Sequence, residues 1–560
     1  LEASTRSEPR PAPGGKVYHV YPPGFTGTRE QPAFSGLLEA YYVAALGGDW
    51  SRASPPRVQP GDTIKVHAGV YLSKHDHYSH EINSRFTTCC ATPWDGTYYL
   101  TQKGTAEKPI AIVNAGDGEA IFDGDGNTVL FNLMAGDHHY FEGLTFRNTG
   151  TAIEAGQKAI AGSKGLTVKR SKFVDIGTAV HSDWSGSAGF TLLDNDMLGR
   201  EDLDHLFTWY AIKPWTDDPQ FAQKGKLKSF YAVSVYGQGH VFAYNRVRGF
   251  HDGIDHVTYG MPDDWPNTPR DRKPVAIDIY NNDVSVVHDN CFETDGAMHN
   301  IRVLRNRCFN APLGAMSPQP IFGGPVYFVR NVVYNAWWGP VKIHADPSGI
   351  LYLNNTYVGE FRMLTPASNL HLKNNLLLGQ GVTPRVLSID TFTNYSESDY
   401  NGFRPNPGGE SFAWNSPPFG VTRDFYRARK SADANAAPVS QTANSAGNAA
   451  GQGRTLVGAT AIPLEQRVFR TLREYSKATG QDRHSVLVDF DVFVNAPRPD
   501  FSDPTRVVAP DSVDLRLRPR SRAVDAGTVI PNVTDGYLGK APDLGAYESG
   551  APRPHYGPRP

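Results

Sequence analysis

The sequence predicts an all-β chain wound as a solenoid of short stacked coils, and three observations predict it. Strings of alternating β-type residues closing on asparagine recur between about residues 140 and 380: HVFAYN at 240–245, NIRVLRN at 300–306, GPVYFVRN at 324–331, ILYLNN at 350–355 and LHLKNN at 370–375. Their closing residues Asn306, Asn331, Asn355 and Asn375 stand 25, 24 and 20 residues apart, with no helical pattern between them. The 560 residues include 55 Gly and 42 Pro, about one in six, which marks many turns rather than long helices. A repeat of about 20–25 residues cannot bury its own apolar face, so stacking makes the core. A leucine-rich repeat would need a denser leucine pattern, and propeller blades would run to about 40–45 residues.

Each stretch then takes a place along the solenoid. Residues 1–15, LEASTRSEPRPAPGG, read as a disordered, Pro-rich tail like the mature end left after signal-peptide removal, so a secreted or periplasmic location is expected. Residues 16–430 are the coiled body. Within it 37–46, LLEAYYVAAL, predict a helix covering the first coil. YFEGLTFRN at 140–148 and FTLLDN at 190–195 fit the repeat upstream, and Asn245 and Asn290 extend the series of corners. The 45-residue step between those two carries an insertion, MPDDWPNTPRDRKP at 261–274. Asparagine suits such a corner because it tolerates left-handed backbone and can hydrogen-bond to its equivalent one coil away. Residues 431–454 are a low-complexity loop, and 455–560 form a segment packing on or capping the solenoid, with a helix near 463–479.

Composition excludes some partners. Lys+Arg number 55 against 57 Asp+Glu, a formal charge of -2, with no basic stripe for nucleic acid. No run approaches the roughly 18 apolar residues of a membrane span. A monomer is expected. The four cysteines have no zinc-site spacing. Cys291 and Cys308 read as buried free thiols, with a bridge between neighbouring repeats open if the chain is exported.

Three passages resemble secreted right-handed parallel β-helix proteins, the group of pectate-lyase-like and alginate- or chondroitin-lyase-like enzymes and several glycoside hydrolases. GDTIKVHAGVY at 61–71 with GTAEKPIAIVNAGDGEAIFDG at 104–124 is similar to the opening of such a helix, the Asn-cornered coils to its body, and DLRLRPRSRAVDAG at 514–527 with APDLGAYE at 541–548 to its C-terminal segment. The resemblance implies a single right-handed parallel β-helix acting on a polysaccharide or oligosaccharide. It does not fix the reaction, because one fold hosts many chemistries.

If coils stack, equivalent positions recur about every 4.8 Å. The strings GTAIE, GTAVH, DGID, DGAMH, LGAMS and GPVK, aligned on their apolar residue, put Glu154, His181, Asp255, His299, Ser317 and Lys342 in one outward column. Outward positions of a solenoid are ordinarily just polar, and Glu154, His181 and Ser317 are read that way. The middle is denser: Asp252 and Asp255, then Glu293, Asp295 and His299, then Lys342 and His344. Crowded carboxylates need a raised pKa, a cation or a basic neighbour. The expected catalytic set is therefore Asp252, Asp255, Glu293, Asp295, His299 and Lys342. Trp337, Trp338, His256, Arg302, Arg330 and His344 are the expected substrate contacts, since sugar rings stack on aromatic faces. Trp184, Trp209, Tyr210, Trp215 and Trp265 are further aromatics near the column. HDHYSH at 75–80 is a polar loop that a metal would also suit.

Three chemistries fit. Glycoside hydrolysis needs a protonated acid and a second carboxylate, with Asp252 or Asp255 against Glu293 or Asp295, and is preferred for its adjacent carboxylates. β-Elimination from a uronate polymer needs a base, His299 or Lys342, and a stabilising Arg302, Arg330 or calcium ion on Glu293 and Asp295. The Glu293, Asp295, His299 order is similar to the acid-acid-base arrangement of the chondroitin- and alginate-lyase-like branch, with histidine where lysine is expected. Uronate epimerisation would add a donor such as Tyr334. A non-catalytic glycan-binding β-helix is the remaining reading. No cofactor is required on any of these readings, and calcium is admitted.

Overall fold

The computed structural model describes residues 8–43, 55–73, 96–158, 160–206, 227–256, 273–393, 395–417, 464–503 and 505–560. They fall in two compact units. An N-terminal unit holds residues 2–202, 228–284 and 555–560, and a C-terminal unit holds 203–227 and 285–554. Each is a right-handed parallel β-helix, the handedness that right-twisted strands impose on parallel crossovers.

In the N-terminal unit one wall runs through Val17–Val20, Thr63–Val66, Ile110–Asn114, His139–Glu142, Thr167–Lys169, Thr191–Leu193, Val241–Ala243 and Val275–Tyr280, each parallel to the next. A second wall stacks Gly69–Leu72, Ala120–Asn132, Leu144–Glu154 and Lys172–Ser182. In-register stacking places like on like inside. Phe122, Phe146 and Phe173 lie at successive centroid spacings of 6.4 and 4.9 Å, all fully buried. Each such ring removes apolar surface from water worth about 1.5–3 kcal/mol.

In the C-terminal unit the first wall runs through His299–Leu304, Phe322–Val329, Ser348–Leu353, Ser368–Lys373 and Glu397–Asp399. The second runs through Arg307–Phe309, Val332–Tyr334, Thr356–Val358, Leu376–Leu378, Gly402–Arg404 and Val486–Leu487. A third, shorter line pairs Phe292–Glu293 with Met316–Ser317 and continues through the bridges Met316–Val341, Ile343–Met363 and Phe361–Leu387. The C-terminal segment packs back on these coils: side chains of Asn310, Tyr334 and Asn354 donate to the carbonyls of Val508, Pro497 and Asp543.

The asparagine corners are buried hydrogen-bond ladders. In the N-terminal unit Asn195 Nδ2 donates to Asn245 Oδ1 at 2.9 Å and Asn245 Nδ2 to Asn282 Oδ1 at 3.0 Å. In the C-terminal unit Asn306, Asn331, Asn355, Asn375 and Asn401 repeat the contact at 3.0–3.1 Å. Each acceptor oxygen also takes the backbone N–H of the coil before it, as Asn355 Oδ1 does from Asn331 N. Two expectations change here. Asn282, not Asn290, follows Asn245. The left-handed backbone belongs to the residue before each ladder asparagine: Asp194, Tyr244, Asn281, Arg305, Arg330, Asn354, Asn374 and Tyr400, at φ of 50–58°. The ladder residue is selected for its amide, and its predecessor bears the bend.

Other expectations are corrected as well. Within the stretch read as a tail, the Glu8 carboxylate meets Lys169 Nζ and Arg559 at 2.8 Å each. The capping helix spans only Leu37–Tyr41, with Ala40 and Tyr41 buried, and the chain leaves it at Tyr42, which bridges to Pro56. The later helix is Leu472–Thr479, started by a Thr471–Glu474 capping box and ended by Gly480 at φ 76°. Cys291 and Cys308 are joined as a disulfide rather than free. No described helix is long and apolar enough to cross a membrane. The loop at 75–80, the insertion at 261–272, the low-complexity stretch 431–454, and Trp209, Tyr210, Trp215 and Trp265 lie outside the described residues.

Candidate active site

Each unit carries its own polar column. In the N-terminal unit, strand register sets Asn132, Glu154, His181, Ser234 and Asp255 on successive rungs. Glu154 is buried and accepts from His181 Nδ1 at 3.0 Å. Burial of the imidazole opposes its charge, but the Glu154 hydrogen bond and the charges of Glu154, Asp183 and Asp255 outweigh it, so the His181 pKa is raised. Ser234 donates to Asp255 Oδ2 at 3.4 Å. Asp252 lies opposite Tyr231 at the other end of its strand, with His251 Nε2 3.8 Å from its carboxylate. Three residues from Asp255, it points to the other face of a strand, so the two are not a pair on one column. His256 is fully buried and its pKa is pushed down to about 3 by burial, which makes it a core imidazole rather than a substrate contact.

In the C-terminal unit the column reads Glu293, Ser317, Lys342, Arg362. Glu293 pairs with Ser317. Lys342 follows Val341, which bridges Met316, and its N–H donates to the Met316 carbonyl at 2.8 Å. Arg362 precedes Met363 as Lys342 precedes Ile343, and those two bridge, so both cations occupy neighbouring rungs. The Lys342 ammonium sits 2.9 and 3.0 Å from the two oxygens of buried Asp289 and 3.2 Å from Asn290 Oδ1. Asp295 turns its Oδ1 to Ser317 Oγ and Gln319 N, both at 2.9 Å. Arg362 lies over the Trp338 ring, 3.8 Å from its centroid, and donates Nε–H to the Trp338 carbonyl. His344 shares the outward face with Lys342, because Ile343 between them is fully buried. Burial, then the Lys342 charge, lower the His344 pKa, leaving it neutral at pH 7.

Several expected contacts belong elsewhere. His299 opens the strand His299–Leu304 of the first wall, because the chain turns at 294–297, where Ala297 N bonds to Thr294 O; the rung equivalent is Glu293. Arg302, in that same strand opposite Tyr327, is away from Lys342. Arg330 is held against the Ala546 and Val533 carbonyls, and burial lowers its pKa, so it serves packing of the C-terminal segment. Tyr334 donates to the Pro497 carbonyl at 2.6 Å with its pKa pushed up to about 12 by burial, so it is no free proton donor. Trp337 and Trp338 are both half-buried; neither is the core residue that strand alternation suggested.

The sequence missed Asp289, Arg362 and Ser234. Asp289 stands beside Asn290, misread as a corner. Arg362 lies in GEFRM, which lacks the small-apolar-polar string, yet its 20-residue distance from Lys342 matches the repeat and was the available signal. The charge crowding expected around Glu293 and Asp295 is met at Asp289 by Lys342. With Asp295 Oδ1 taken by two donors, Glu293 and Asp295 fit a calcium cage of six to eight oxygens poorly.

No family model and no curated protein matches this chain. Among solved structures it is similar to pectate lyase Pel9A, at 13% identity over 95% of this chain and 96% of that one, with a TM-score of 0.38. It is also similar to the PL6 family alginate lyase AlyGC, at 12% identity over 62% of this chain and 40% of that one, with a TM-score of 0.32.

Proposed function

We propose that the chain is a polysaccharide-degrading enzyme that cleaves a uronic-acid polymer by β-elimination in its C-terminal unit. One observation carries this reading: a neutral, half-buried imidazole, His344, beside two cations, Lys342 and Arg362, on neighbouring rungs. Elimination asks for that combination. The base must be unprotonated to take the C5 proton, and positive charge must hold the uronate carboxylate as electron density moves onto it. His344 removes the proton, the Arg362 fork holds the enolate-like carboxylate in the field of the Asp289-anchored Lys342 ammonium, and the C4–O bond breaks to leave a C4–C5 double bond. The leaving oxygen takes its proton from water. Trp338 fixes Arg362 from behind, so the fork is pre-set for a carboxylate.

The hydrolytic reading pairs Asp252 or Asp255 with Glu293 or Asp295, and burial weighs against it, Asp252 and Asp255 being 4% exposed each. Asp295 is 1% exposed and Glu293 9%, whereas an acid and its partner must both touch the sugar. The Cys291–Cys308 disulfide supports an oxidising compartment and hence export. Digesting a panel of neutral and uronate polysaccharides while following both ultraviolet absorbance and new reducing ends tests the reading. Unsaturated product from uronate polymers alone, persisting with a chelator, is expected. Reducing ends without ultraviolet signal would overturn elimination, and neither signal would leave a glycan-binding module.

A further inference from the structure

The first coils of the N-terminal unit bury a group of residues that the column chemistry does not use. His19, in the strand Val17–Val20, and His67, just past Thr63–Val66, are 5% and 7% exposed. Their rings face each other, His19 Nδ1 to His67 Nε2 at 3.0 Å. On the far side of His67, Nδ1 lies 2.7 Å from Asp117 Oδ2, and Asp117 Oδ1 is fixed by the Ala68 N–H at 3.0 Å. The other His19 nitrogen, Nε2, lies 3.5 Å from Glu30 Oε2. One donor atom from each of His19, Glu30 and His67 lies within 4.8 Å of the other two.

This order of groups fixes the protons. A carboxylate accepts only, so His67 Nδ1 carries the hydrogen that Asp117 receives, and His67 Nε2 presents a lone pair to His19. That is the carboxylate–histidine arrangement by which proteins set the tautomer and direction of a metal-binding imidazole. The His67 ring is held further: Tyr21 stacks on it at 4.0 Å with a 9° interplanar angle, and Tyr71 Oη donates to its backbone carbonyl. Glu30 is held too, its N–H donating to Tyr21 Oη at 2.7 Å. At 3.0 Å the two nitrogens either share one hydrogen or, with that hydrogen lost, turn two lone pairs towards one metal ion. Lys65, paired in register with His19, is the nearby cation that disfavours added charge.

We propose that His19, Glu30 and His67 bind one divalent transition-metal ion, with Asp117 as the residue that orients His67. Two imidazole nitrogens and one carboxylate oxygen form a donor set suited to zinc, with a position left for water. The ion would clamp the 17–20 and 63–66 strands and the 30-loop together at the opening of the helix. This is a structural site, independent of the reaction proposed above.

The test uses the full chain, freed of metal by a chelator and titrated with cobalt(II) and zinc. Its background carries His75→Ala, His77→Ala and His80→Ala, so that the other histidine-rich loop contributes nothing. One equivalent of cobalt should give a visible spectrum of mixed nitrogen and oxygen ligands, displaced by zinc, and zinc should raise the melting temperature. Glu30→Gln and His67→Gln should each weaken binding at least about tenfold, and Asp117→Asn by about 10–100-fold. If His67→Gln does not fold, Glu30→Gln and Asp117→Asn decide, since both carboxylates are substantially exposed. No saturable binding, or unchanged affinity in those two variants, would overturn the proposal.

Discussion

The two polar columns are built alike and charged differently. In the N-terminal unit two acids, Glu154 and Asp255, and Ser234 share a row with one imidazole, His181, whose pKa is raised. In the C-terminal unit the row passes from Glu293 through Ser317 to the cations Lys342 and Arg362, and its imidazole, His344, has its pKa lowered. The two neighbourhoods thus move the two imidazoles' pKa values in opposite directions. A histidine with a carboxylate one rung away keeps its proton longer, and one that is half-buried with an ammonium two residues away loses it sooner. On the proposed reading it is the second that accepts the proton, beside groups that stabilise an anion.

That contrast can be broken at graded points. The largest effect belongs to Arg362→Ala, expected to lower kcat/KM on a uronate polymer by about 10²–10³-fold, the scale of losing a preorganised charge stabiliser, with the β-sheet circular dichroism signal retained. His344→Ala should cost about 10²-fold or more. In the parent, kcat/KM should be flat at neutral pH and fall only as the pH drops through the His344 pKa, which lies below 6.5. A profile that instead declines through pH 6.5–8 would move the base elsewhere.

Lys342→Met probes stability and chemistry together. It leaves Asp289 buried without its cation, at about 3–5 kcal/mol by urea unfolding, and adding Asp289→Asn should restore much of the stability but no turnover. In the other column His181→Gln should change turnover less than about tenfold, since polar positions away from the reacting atoms act only weakly; a loss equal to that of His344→Ala would put the chemistry in the N-terminal unit. The smallest effect is expected at Glu8. Its pKa is depressed from 4.5 to about 2, first by the Lys169 hydrogen bond, so its contribution is present above pH 4.5 and lost as pH falls from there towards 2. The carboxylate is 37% exposed, so screening keeps this below about 1 kcal/mol, and Glu8→Gln should shift acid unfolding only slightly.

The solenoid was legible because its cause is periodic. Apolar alternation and corner asparagines recur at a coil length, and both are visible in a string of letters. The column was legible where that string is regular, which is why Glu154, His181, Asp255, Ser317 and Lys342 fell on their rungs. It failed where a turn mimicked a coil: the Gly-Ala-Met of FETDGAMH resembles a rung, but the chain bends there and places His299 in another wall. Partners distant along the chain, such as Asp289 for Lys342 and Pro497 for Tyr334, leave no local pattern. They depend on which side of each coil a loop rejoins, and periodicity does not encode that.

The asparagine ladders also separate two properties that most folds couple. Successive pegs are 50 residues apart from Asn195 to Asn245 but only 20 from Asn355 to Asn375, yet the amide contacts differ by no more than about a tenth of an ångström. The excursion between pegs can therefore lengthen or shorten without altering how neighbouring turns dock. Surface loops become free material for tuning what is grasped, while the spine that carries them is left undisturbed.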